Sequence, residues 1–160
     1  MVLRTGDTSP EQEIAEAMIP IIRSNPILDQ PEILIDNPID IDKAVDAMNV
    51  GNLFVDVWPV GITTDRRNRR SNERTFEVHV GLRVKVSAEQ MTRAGVNQLC
   101  FYREQIQSVF TPKRSRLLLP SVGQQVVLMI AEPFAPYGRD SLARKGLFIA
   151  PIRFEWKGLW

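Results

Sequence analysis

Histidine and cysteine are almost missing from this chain, which has one of each, His79 and Cys100. A single cysteine excludes an internal disulfide and gives no sign of an oxidising compartment. A single histidine has no second ligand nearby in the sequence and no group to orient its ring. A metal or catalytic role is therefore not expected, and His79 reads as a surface residue on the polar face of a strand. Cys100 lies within a helical stretch without an adjacent cation and reads as a small buried hydrophobe. An excess of one charge is lacking as well. Lys and Arg number 20 against 19 Asp and Glu, whereas a chain built mainly to hold nucleic acid carries a clear basic surplus.

Long apolar runs are also absent. The longest, such as VVLMIA, fall far short of the ~18–20 residues that span a bilayer. The opening MVLRTGDTSPEQE lacks the apolar segment of a secretory signal. The expectation is a soluble protein made in a reducing cytoplasm, with no membrane partner. Glycine-rich phosphate loops and the HExxH, GxSxG and CxxC patterns do not occur. Asp36, Asp40, Asp42 and Asp46 cluster without calcium-loop spacing, and capping or solvation accounts for them. No enzyme and no cofactor is expected.

What is present is ordinary globular composition over 160 residues, enough for one domain, 1–160, with a real core. In SPEQEIAEAMIPIIRS, Ser9 stands at an N-cap with Pro10 at the first helical position, and Gln12 completes a capping box. Ile14, Ala17, Met18, Ile21 and Ile22 fall on one helical face, and Pro20 should kink or shorten the helix. Residues 25–39 contain Pro26, Pro31 and Pro38, which exclude a helix and predict an extended surface strap. A short helix capped by Asp40 and stopped near Gly51 is expected next.

LFVDVWPVG reads as a strand with Pro59 marking an edge or a bulge. TFEVHVGLRVKV alternates strictly, with Phe76, Val78, Val80, Leu82, Val84 and Val86 on one side, which predicts a long half-buried strand. Ser87 then opens a second helix of about 22 residues ending before Pro112. GQQVVLMIAEP and GLFIAPIRFEWKG supply two more strands. The expected fold is α+β: a four-stranded, mainly antiparallel sheet with two helices on one face, in the order α-β-β-α-β-β.

Between the first two strands lies DRRNRRSNER, with Arg66, Arg67, Arg69, Arg70 and Arg74 in ten residues. The connection 62–74 is about twice the common length. As a two-stranded arm its tip could stand ~20 Å from the sheet. It could grip phosphates, meet a protein surface or keep a loop solvated. Arginine suits carboxylate recognition, and no aromatic interleaves the run for base stacking. Trp58, Trp156 and Trp160 are of an interface-enriched type. The terminal RFEWKGLW either docks on a partner or folds back on its own core.

VDVWPVG, the arginine-rich connection, the alternating FEVHVGLRVKV and the long helix together resemble the tail terminator (tail completion) proteins of long-tailed bacteriophages, over residues 53–110. The resemblance implies a structural virion protein at the head–tail junction, forming a homo-oligomeric ring, typically a hexamer. Such a ring caps the tail tube, contacts the tube protein and presents a surface to the head connector. DNA would pass through its channel without sequence-specific contact. Two alternatives stay open: another neck or head-completion component, adaptor or stopper, and a nucleic-acid-binding module using the arginine loop.

Overall fold

The computed structural model describes residues 9–37, 53–66, 71–85, 93–133 and 147–159. The short helix expected over 40–51 lies outside these residues, as do Arg67, Arg69, Arg70 and Trp160. The elements are α1 (Pro10–Arg23), β1 (Ile33–Asp36), β2 (Leu53–Arg66), β3 (Asn72–Lys85), α2 (Arg93–Ser108), β4 (Arg116–Leu119), β5 (Gln124–Pro133) and β6 (Leu147–Leu159). The fold is α+β, as expected, but the sheet has six strands in the order β1-β2-β3-β6-β5-β4, not four. It is also mixed, because β1 runs parallel to β2 while the other pairings are antiparallel.

The two additional strands are four residues each, too short for alternation to separate them from extended loop. Within the proline strap, the prolines flank ILID and leave it free to pair, so the strap is in part a strand. RLLL likewise sits between a turn and Pro120. Gly123, at φ +63°, closes the β4–β5 hairpin in a conformation open to glycine.

α1 starts where its cap predicts: the Ser9 hydroxyl accepts from the Gln12 amide at 3.4 Å. The helix continues through Pro20 for three more residues. The hydrogen bond proline cannot donate would have gone to Glu16, and both residues are exposed, so water can serve that carbonyl. Ile14, Ala15, Met18 and Ile22 are buried. In α2, described over 16 residues, the buried residues are Leu99 and Ile106, with Val96, Cys100 and Tyr102 packed against the core.

Cross-strand register places one apolar row beside the next. Leu53, Val55 and Val57 of β2 stand opposite Val84, Leu82 and Val80 of β3. β3 in turn sets Phe76, Val78 and Val80 against Trp156, Phe154 and Ile152 of β6. These side chains and those of both helices form a single buried cluster, so the helices cover one face of the sheet. Phe110, just past α2, makes edge contacts to Phe154 and Trp156 at centroid distances of 4.8 and 6.2 Å.

Candidate interaction surface

The β2–β3 ladder runs on to Arg66 opposite Asn72. Most of what sequence spacing reads as a loop over 62–74 is thus hairpin, since Ile62, Thr63, Thr64 and Thr75 are strand-favouring residues. Nor is it a free two-stranded arm. β6 accompanies β3 as far as Leu159 opposite Glu73, so a third strand backs the hairpin nearly to its turn.

β2 carries one extra residue. Pro59 pairs with Val78 and Gly61 with Glu77, leaving Val60 as a bulge. Before the bulge odd-numbered residues face the core; after it Ile62, opposite Phe76, resumes that face, followed by Thr64 and Arg66. Arg74, opposite Thr64, shares this side of the hairpin. Arg66 is exposed and Arg74 half-buried. On the same side Ile62 is exposed, at 42%; Val60 at the bulge and Leu159, which stands opposite Glu73 and so on the other side, are exposed at 49 and 53%. Two of the predicted arginines and the exposed Ile62 therefore share one side of one end of the sheet, with Leu159 on its reverse side.

Trp58 and Trp156 do not join them. Trp156 is fully buried within the chain, which assigns its ring to the core and removes it from any contact surface. Trp58 lies on the polar face of the sheet, five β3 positions from Arg74 by register, ~17 Å along the strand. There it meets His79 edge-on at 5.8 Å and lies under the Arg83 guanidinium, 5.8 Å from the ring centroid. His79 is not a surface residue: its side chain is 12% exposed, and Nε2 is 2.6 Å from Glu77 Oε1.

Sequence reading missed the centre of this cluster. Asp56 is fully buried, with Oδ1 accepting from Arg83 Nε at 3.0 Å. Its Oδ2 has no hydrogen-bond partner. Burial pushes the Asp56 carboxyl up to about 6 and outweighs the attraction of Arg83, which pulls it down. Two signals were available: an acid inside the apolar run LFVDVWPV, and Gly81 interrupting a strand that otherwise carries side chains. Elsewhere on this face the charges pair across strands, Arg153 with Glu132 at 2.6 Å and Lys157 with Glu73 at 3.1 Å.

Among the described residues no three histidine, cysteine or acidic side chains are placed to hold a metal ion, and no helix is long and apolar enough to cross a membrane. A cavity of about 240 Å³ between β1, β2, β3 and α2 is lined by Gln30, Glu32, Gln98, Tyr102 and apolar neighbours. Neither a protein-family model nor a curated protein matches the chain.

Proposed function

We propose that this chain is a structural virion protein, a tail terminator that assembles as a ring, caps a phage tail tube and joins it to the head connector. The observation that carries the reading is that Arg66 and Arg74 share one side of the β2–β3 hairpin end with exposed Ile62. Arginine beside exposed aliphatic side chains is the composition of a protein contact surface, where a fork of donors orients and apolar area is removed from water. Near-neutral overall charge fits a partner that is protein, not nucleic acid. The resemblance over residues 53–110 supplies the architecture, typically six copies around a channel through which DNA passes without base-specific contact.

The experiment combines light scattering and negative-stain imaging of the purified chain with purified tail tubes. Rings, or closure of the chain onto tube ends, are expected. Reversal of Arg66, Arg67, Arg69 and Arg70 to glutamate should abolish tube capping. Capping that survives the reversal removes the hairpin from the contact. Recovery of the protein on DNA-filled heads, not on tails, would move it to the head-completion side of the neck.

A further inference from the structure

The two outermost strands of the sheet carry opposite charge on one plan. β1 buries Ile33 and Ile35 and exposes Leu34 and Asp36. β4, at the far edge, exposes Arg116 and Leu118 and buries Leu117 and Leu119. Both are four residues long. Each has one large aliphatic side chain in water, Leu34 at 46% and Leu118 at 62%. Next to Leu34 in the sequence the exposed acids are Asp29, Glu32 and Asp36, with Arg23 reaching in from α1 to the Ile35 carbonyl; next to Leu118 the exposed charges are Lys113, Arg114 and Arg116. Among the described residues each strand has one neighbour, β2 for β1 and β5 for β4, so each leaves a row of backbone groups that a further strand can pair.

We infer that the β1 edge of one copy pairs with the β4 edge of the next, continuing the sheet from subunit to subunit. With Leu34 beside Leu118, the alternation brings Ile33 and Ile35 alongside Leu117 and Leu119 on the helix-covered side. Because β1 and β4 run the same way across the sheet, keeping the helices of both copies on one side makes the pairing parallel, and on the other side it sets Arg116 next to Glu32. Opposite charges directly across a strand pair favour this register, and like charges disfavour pairing β1 with β1 or β4 with β4. The contact is consequently head-to-tail, and a head-to-tail contact generates a closed ring or an open helix but not an isolated dimer. One bond is exchanged: Arg23 Nη2 donates to the Ile35 carbonyl at 3.1 Å, and an incoming strand takes its place.

The inference rests on the ring reading above but is tested separately from it. In a Cys100→Ser chain, Leu34→Cys and Leu118→Cys are made as two single variants, both at exposed positions. On mild copper–phenanthroline oxidation the mixture should give a disulfide-linked dimer, and neither variant alone should. Circular dichroism of each checks folding. Failure of the mixture to cross-link, or equal cross-linking of either variant alone, overturns the edge pairing. Rings without the cross-link sink this contact and leave the ring reading standing. Cross-linked open fibres that ignore tail tubes do the reverse. Arg116→Glu should weaken assembly by at least about tenfold; unchanged assembly counts against the pairing.

Discussion

Gly81 lies directly beneath the indole of Trp58: a Cβ built on Gly81 would stand 2.9 Å from two ring carbons and 2.8 Å from Asp56 Oδ1. The missing side chain lets the ring lie over the buried Asp56–Arg83 pair. Gly81→Ala must displace either the ring or the carboxylate. A loss of about 1–3 kcal/mol is expected from overpacking, read as a lower urea midpoint with an unchanged slope.

The Asp56 carboxyl titrates near pH 6 in the folded chain, above its ordinary 3.8. Between those two values the folded state holds a proton that the unfolded chain has released. The stability this group contributes is therefore full below about pH 4 and is lost as pH rises through 6, on the order of 3 kcal/mol across the window. Asp56→Asn, which cannot titrate, should flatten that part of the stability–pH curve. An unaltered curve in urea titrations at pH 4, 5, 6 and 7 refutes this account.

Trp156 is buried against Phe110 with its indole Nε1 unpartnered. Trp156→Ala should cost about 3–5 kcal/mol by opening a cavity. Trp156→Phe retains an aromatic ring and removes an N–H that has no acceptor, so its cost should be well under half of that. Thermal melts of the pair decide the matter, and equal losses would show that the indole N–H is satisfied.

If the arginines of the hairpin engage phosphates, DNA affinity should fall with salt along a log–log slope near four or five, one for roughly each arginine. The protein-contact reading expects a shallow slope and weak binding. A steep slope in a fluorescence titration from 50 to 200 mM salt would favour the nucleic-acid module.

Legibility in the sequence followed the length of each signal. β3 alternates over enough residues to fix both its existence and its buried face, and Ser9 placed the start of α1 correctly. β1 and β4 are too short to announce themselves. β2 conceals its faces because Val60 shifts the alternation midway, so the run beyond Gly61 resembled a loop. Trp156 illustrates a different limit. A large ring near the end of the sequence suits an interface or a core equally, and only the pairing of β6 with β3, which sets it opposite Phe76, assigns it inward. At the candidate surface the arginines were visible as composition, but Ile62 comes to share their side only through register. Asp56 was marked by its apolar setting, but an acid in an apolar strand gives no hint of the cation 27 residues later that meets it.

The bulge at Val60 has a consequence for polymer architecture. Beyond Asp56, β2 has no strand on its outer side among the described residues, which makes its last ten residues a third place where a foreign chain could add. Pro59 withholds a donor there and Val60 throws the spacing out of step, so a straight visitor finds no matching ladder. Deleting Val60 would restore regular pairing with β3 and at the same stroke turn this flank into a smooth template. If copies join through one complementary pair of margins, a third adhesive margin would branch the assembly into aggregates, and a single inserted valine stands against that.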